Sequence, residues 1–226
     1  MGPTLRLMTA NLLHEHADVT AFAGLLDRVA PDVVVTQELG PECAEVIVER
    51  YPHHHLRPER NFTGRGIGSN LEAEFGDISM PVRDGTWAFL NVEGRLVRLA
   101  GMHLINPIDF PWWRSVRIRS RQLGALFQWA DSADDDVPLV VAGDMNASPS
   151  WPAYRRMAAR WDDLVASQAE DVGRKPEPTW GWRPGWPRML RIDHVFGLGV
   201  EANSASVEPV VGSDHHAVVV DLEIPV

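Results

Sequence analysis

The chain has a single cysteine, Cys43, among its 226 residues, which excludes an internal disulfide. No apolar run reaches the length that spans a bilayer, and no basic-then-apolar leader follows Met1. The chain as given is therefore expected in the cytoplasm, without a transmembrane segment. Positive charge is also scarce: 21 Lys and Arg against 31 Asp and Glu leave a net charge of −10. That balance disfavours tight, sequence-indifferent binding to long nucleic acids, which depends on neutralising many phosphates. Repeats, low-complexity stretches and linkers are missing too, so one domain over residues 1–226 is expected, acting as a monomer.

What is present centres on Pro138-Leu139-Val140-Val141-Ala142-Gly143-Asp144-Met145-Asn146-Ala147-Ser148-Pro149. Apolar residues at successive positions read as a strand buried on both faces. It stops at Gly143, where the backbone can turn tightly, and Asp144 and Asn146 follow two positions apart, pointing the same way. Alone, this is also an ordinary turn. Other strands end in the same manner.

Residues 5–11 alternate and end at Asn11, and residues 32–38 form a buried strand ending on Glu38. Helices are predicted over residues 19–29, closed by Pro31, and over about residues 42–50. Residues 53–65 read as loop, 66–70 as a short strand, and 75–82 and 86–92 as strands split by Arg83-Asp84-Gly85, a hairpin signal. Residues 96–103 form a strand ending at His103, and a loop over residues 106–113 leads to a long helix over about residues 115–133. Asp134-Asp135-Asp136 separates that helix from the Leu139 strand, and a helix over about residues 151–161 follows the Asp144 turn. A long irregular loop over residues 167–187 precedes the last strands, at residues 192–196, about 204–207, and 217–224.

Asn11, Glu38, His103 and Asp144 stand at C-terminal ends of strands, whereas Asp193 and the pair Asp214-His215 stand at or before N-terminal ends. If the late strands run antiparallel to the early ones, all of them share one rim. Helices alternating with the early strands then imply sheets covered by outer helices. Carboxylates with amide and imidazole neighbours suit a hard divalent cation, Mg²⁺ or Mn²⁺ before Zn²⁺. Water beside such an ion and a carboxylate can attack a phosphate ester, and His and Asn can donate to its oxygens.

Taken together, Thr9-Ala10-Asn11-Leu12, Gln37-Glu38, Gly66-Ile67-Gly68-Ser69, Met102-His103-Leu104, Gly143-Asp144-Met145-Asn146-Ala147, Arg191-Ile192-Asp193-His194-Val195 and Ser213-Asp214-His215-His216-Ala217-Val218 resemble the endonuclease/exonuclease/phosphatase superfamily with the DNase I-like fold. The resemblance implies a four-layer α-β-β-α sandwich, two packed mixed sheets flanked by helices, and a Mg²⁺-dependent phosphoesterase, with Mn²⁺ as the other cation. It implies Glu38, Asn11 and Asp214 as the metal residues and Asp144 as the group orienting or deprotonating water. Asn146 and His103 would hold the phosphate, and His215 would contact a phosphoryl oxygen, its ring fixed by Asp193. One departure is Asn70, where the family's pattern has arginine after the serine.

For the substrate, the sequence offers two aromatic loops and one basic cluster. Arg114, Arg117, Arg119 and Arg121 read as a solvated helix face, with Arg114 the one nearest the His103 loop. Trp112 and Trp113, with Trp180, Trp182 and Trp186, fall in loops expected to wall the pocket, so Arg114, Trp113 and Trp180 are the candidate substrate contacts. Compact aromatic loops favour a small phosphodiester, phospholipid-like or pyrophosphate substrate over duplex DNA. The last part of Thr179-Trp180-Gly181-Trp182 also resembles members acting on abasic DNA, which makes a DNA-repair nuclease the alternative, and a non-catalytic scaffold of the same fold the second.

Overall fold

A computed structural model of the chain describes residues 2–132 and 136–225. The predicted helix end at Ala133 and most of the Asp134-Asp135-Asp136 spacer lie outside them. The first half runs β1 (Thr4–His14), α1 (Val19–Val29), β2 (Val33–Leu39), α2 (Pro41–Arg50), β3 (His53–Arg57), β4 (Arg65–Ser69), β5 (Ala73–Ile78), β6 (Gly85–Val92) and β7 (Arg95–His103). The second runs α3 (Trp112–Ala130), β8 (Leu139–Asp144), α4 (Pro152–Ala158), β9 (Asp162–Asp163), α5 (Leu164–Asp171), β10 (Asp193–Leu198), β11 (Glu201–Pro209) and β12 (His216–Glu223). Among the described residues no helix is long and apolar enough to cross a membrane.

The strands form two six-stranded mixed sheets, ordered β11-β12-β1-β2-β4-β3 and β5-β6-β7-β8-β10-β9. The two-residue period of the strands sorts their side chains into layers. Leu5, Leu7, Val33 and Val35 of one sheet meet Val97, Leu99, Val140 and Ala142 of the other. On the outer face of the first sheet, Met8 and Val34 pack under Phe22 of α1 and Ile47 of α2. On the outer face of the second, Met102 and Val141 pack under Leu123 of α3 and Met157 of α4. The result is the α-β-β-α sandwich, its inner core drawing on strands from both ends of the chain.

Local sequence explains the helix limits. The Asp18 carboxylate accepts from the Ala21 N–H at 2.8 Å to start α1, and Ala30, at φ +46°, ends it before Pro31. Several elements differ from expectation, among them β9, which was not expected, and β5, which ends at Ile78 rather than residue 82. His53–Arg57 is an edge strand, not a loop, because β4 gives its polar backbone a partner. Leu164–Asp171 is a helix that overlaps the predicted long loop, started by the Asp163 side chain accepting from the Ala166 N–H at 3.0 Å. α3 begins at Trp112, three residues early, which carries the Trp112-Trp113 pair and Arg114 onto a helix.

The directions matter most for the rim. β10 runs antiparallel to β8, and β12 antiparallel to β1, whereas β7 with β8 and β1 with β2 are parallel. The C-terminal ends of β1, β2, β7 and β8 therefore share an edge with the N-terminal ends of β10 and β12.

Candidate active site

Register delivers the side chains. His103 pairs with Asp144 across β7 and β8, and Asp193 pairs with Asp144 across β10 and β8. Asn11 pairs with Gln37, one residue before Glu38. Its amide donates to Glu38 Oε1 at 3.3 Å and to Asp144 Oδ2 at 3.1 Å, which links the two sheets, while its Oδ1 accepts from the Leu13 N–H at 3.0 Å. Gly143 lies at φ +141°, and a Cβ there would stand 2.0 Å from the Met102 carbonyl oxygen, so only glycine lets β8 close on β7.

Asp144 is buried and heavily bonded. It accepts from the Asn146 N–H at 2.8 Å and from Asn146 Nδ2 at 3.1 Å, and His103 Nε2 stands 3.4 Å away. Burial opposes its charge, but His215 and His103 outweigh that and hold the carboxyl well below its ordinary range. His215 Nδ1 bonds to Asp193 Oδ2 at 2.9 Å, leaving Nε2 3.8 Å from Asp144 Oδ2. Burial alone would lower the pKa of this imidazole, yet Asp193 and Asp144 push it up to about 10. Asp193 is set in turn by Thr179, whose hydroxyl donates to it at 2.6 Å. Asp214 accepts from Trp180 Nε1 at 3.0 Å, and burial, with Glu38 adding, raises its carboxyl above the ordinary value.

These groups open onto a cleft of about 540 Å³, lined among others by His14, Glu38, Arg83, His103, Asp144, Asn146, Trp180, Asp214 and His215. Among the described residues seven non-glycine residues take positive φ, and five of them line this cleft: Leu13, His14, Glu38, Val82 and Asn146. Such backbone persists only where its surroundings over-determine it, and it gathers at functional sites.

Two of the predicted substrate residues stand elsewhere. Arg114 is exposed in the first turn of α3, 4.6 Å over the Phe110 ring, and Trp113 is 58% exposed; neither lines the cleft. The early start of α3 turns both outward. Nor is the arginine face of α3 uniformly solvated: Arg119 is buried, its pKa lowered to about 10 by desolvation, and bonds the carbonyls of Ile105 and Met145. It ties the loops that follow β7 and β8.

The cleft's own arginine is Arg83, which the sequence shows only as part of a hairpin signal. Its guanidinium is buried, lies 2.6 Å from His103 Nδ1 and stacks 4.9 Å over Phe62. Nothing in the sequence signalled it: Val82 before it takes a φ of +74°, a backbone that a β-branched residue does not announce. Thr179 was signalled by Asp193, a strand carboxylate in need of partners.

The donor set fits a cation on the Glu38 side. Asp214 Oδ1 is buried without a hydrogen-bond partner, Glu38 Oε2 has only the His14 imidazole, 2.5 Å away, and all three residues line the cleft. Buried polar atoms are normally paired, so an unpartnered Asp214 oxygen beside a second buried carboxylate marks a place for a positive group. Asp144, Asp193 and His215 also bring ligand atoms within 4.8 Å of one another. There, however, the Asp193 and His215 atoms are already bonded to each other.

The sandwich, with carboxylates, histidines and amides gathered on its rim, is the architecture of the DNase I-like phosphoesterases. The model of the Endonuclease/Exonuclease/phosphatase family matches residues 8–215, and the chain belongs to this family. No curated protein matches the chain by sequence. Among solved structures, the endonuclease/exonuclease/phosphatase from Beutenbergia cavernae DSM 12333 aligns with a TM-score of 0.77 at 22% identity, covering 98% of this chain and 72% of that one. D. rerio TDP2 complexed with single strand DNA product gives 0.76 at 18% identity over 97% and 99%. The human Nocturnin catalytic domain with bound sulfate gives 0.73 at 18% identity over 100% and 96%. At these identities the likeness carries the fold alone. Members of the family hydrolyse phosphoester bonds and typically use a divalent metal.

Proposed function

We propose that the chain is a divalent-cation-dependent phosphoesterase that cleaves a compact phosphodiester, phospholipid-like or pyrophosphate substrate by in-line attack of water. The observation that carries this is the coincidence, in one cleft, of strained backbone with buried carboxylates, among them an Asp214 oxygen that lacks a partner. Glu38 and Asp214 hold the cation, Mg²⁺ or Mn²⁺, and Asn11 orients Glu38. When bound, the cation offsets charge on the phosphoryl oxygens.

Asp144, kept ionised by its neighbours, orients the attacking water and takes its proton. His215 is positive at neutral pH, and its Nε2 donates to a phosphoryl oxygen while Asp193 and Thr179 fix the ring. Asn146 and His103 hold the phosphate, and Arg83 supplies the charge that Asn70 does not.

An apolar slot of about 390 Å³ adjoins the cleft, sharing Asn106, Asn146 and Trp180 with it and lined also by Ile108, Trp151, Trp182 and Leu190. Its size and lining favour an apolar group beside the scissile phosphate. The same aromatic lining supports a second reading, a nuclease processing damaged or single-stranded DNA ends, because bases stack on such rings.

A substrate panel tests this. Bis(p-nitrophenyl) phosphate is expected to be hydrolysed with Mg²⁺ or Mn²⁺ and not with chelator; no turnover under either condition would make the fold a scaffold. A lysophospholipid or isoprenyl pyrophosphate is expected to show a higher kcat/KM than an abasic oligonucleotide. The reverse order would establish the nuclease reading.

A further inference from the structure

Acidic residues outnumber basic ones in the chain but are missing from one side of it. Between Asp109 and Asp131, between Asp144 and Asp162, and between Glu177 and Asp193 there are ten arginines and no Asp or Glu, against a net charge of −10 overall. These stretches supply α3, α4 with the loop before it, and the loop that leads to β10. With the loop before α3, they meet around the apolar slot beside the cleft and around a second groove of about 520 Å³, which shares Pro107, Ile108 and Trp151 with that slot. No acidic side chain lines either one. Ile108 is 80% exposed and Trp112 76%, and Val116, one turn along α3 from Trp112, is exposed with them, as is Trp182 on the slot. Exposed apolar side chains that share a groove mark an interaction face. Beside them on α3 stand Arg117 and Arg121, also exposed, whose guanidinium groups have no partner among the described residues.

An apolar stripe beside unpaired arginines fits a surface that is oily within and negative at its edge. We infer that this face docks on a bilayer rich in anionic lipid, with Ile108, Trp112, Val116 and Trp182 entering the headgroup layer and Arg117 and Arg121 on lipid phosphates. Tryptophan settles at that boundary, and arginine beside it gains from the negative surface potential. A second copy docked by the same face would set arginine against arginine. A nucleic acid strand offers stacking to aromatic rings and phosphates to cations, and the aliphatic Ile108 and Val116 use neither. Docking here brings the slot, and through it the cleft, to the layer where a phospholipid-like substrate lies. The inference goes beyond the reaction proposed above, because docking needs neither turnover nor cation.

The test is sedimentation of the chain with vesicles in the presence of chelator. Vesicles of equal parts phosphatidylglycerol and phosphatidylcholine are expected to carry wild type down, and phosphatidylcholine alone to leave it in solution. The double variants Ile108→Ser/Trp112→Ser and Arg117→Glu/Arg121→Glu, each checked for a native melting curve, should weaken partitioning about tenfold or more. Their rates on bis(p-nitrophenyl) phosphate should stay unchanged. Arg28→Glu/Arg57→Glu, which reverses the same charge on the α1 and α2 side, should bind vesicles as wild type does. Absence of vesicle binding by wild type, or an equal loss in the remote pair, would overturn the docking face. So would a dimer, or a bound single-stranded oligonucleotide, that the α3 substitutions release while vesicles stay unbound. Vesicle binding without any turnover of bis(p-nitrophenyl) phosphate would leave the docking face standing and remove the proposed reaction.

Discussion

Asp193 and His194 are neighbours on β10, and each belongs to a buried polar cluster. Asp193 faces the rim with Asp144, His215 and Thr179. His194 faces the other way, where its Nε2 donates to the Ala147 carbonyl at 2.8 Å and its Nδ1 stands 3.0 Å from Arg191 Nη1. There Asp163 accepts from Arg191 at 2.7 Å, from the Tyr154 hydroxyl at 2.8 Å and from the Ala166 N–H at 3.0 Å. No buried side-chain nitrogen or oxygen of this second cluster lacks a partner, whereas Arg83 and Asp214 at the rim each have one that does. Both clusters hold buried charge; one is closed on itself and the other is open to a cleft. Closure marks a structural network and openness a site, because an unsatisfied buried group is retained against its cost where something else uses it.

Substitutions sharpen that contrast, and the largest effect belongs to the open cluster. Asp144→Ala should lower cation-dependent hydrolysis of bis(p-nitrophenyl) phosphate by more than about a hundredfold while the circular dichroism spectrum stays native. A near-normal rate would remove Asp144 from the mechanism. In the closed cluster the effect should fall on stability. Asp163→Asn leaves Arg191 buried against a weaker partner and should cost about 3 kcal/mol in urea unfolding at neutral pH, with the rate per folded molecule unchanged.

That cost should itself depend on pH. Burial opposes the Asp163 charge, but His194 and Arg191 outweigh it and hold the folded pKa well below the ordinary value. The stabilisation is therefore complete above the unfolded pKa of about 4 and is lost as pH falls toward the folded one. The gap between wild type and Asp163→Asn should narrow when unfolding is repeated near pH 3, and a constant gap would separate the effect from charge. The smallest effect is expected at Arg114, which belongs to neither cluster. Arg114→Ala should change stability by no more than about 0.5 kcal/mol, and hydrolysis by less than twofold; a large loss of rate would bring that arginine back to the cleft.

Much of this arrangement was legible in the sequence because strand ends announce themselves. Leu139 to Ala142 and Val33 to Val35 are apolar at consecutive positions, so the polar residue that ends each run stands out. That these ends share a rim with Asp193, Asp214 and His215 depended on an antiparallel return of β10 and β12, which the pairing with β8 and β1 supplies. Edge elements were harder. β3 begins His53-His54-His55, and its identity depends on pairing with β4 rather than on its own pattern. Arg83 was hidden because Asp-Gly after it reads as a turn, and its role depends on where that turn meets His103. Arg119 was hidden because helical spacing alone does not separate a buried arginine from its exposed neighbours; the carbonyls it binds come from two distant loops.

The most direct measurement is the cation dependence of bis(p-nitrophenyl) phosphate hydrolysis by the chelator-stripped chain, for wild type beside Glu38→Gln. Added Mg²⁺ or Mn²⁺ should restore turnover to wild type and leave the variant near background. Equal rates with and without cation, or a Glu38→Gln variant as active as wild type, would contradict a cation-holding rim.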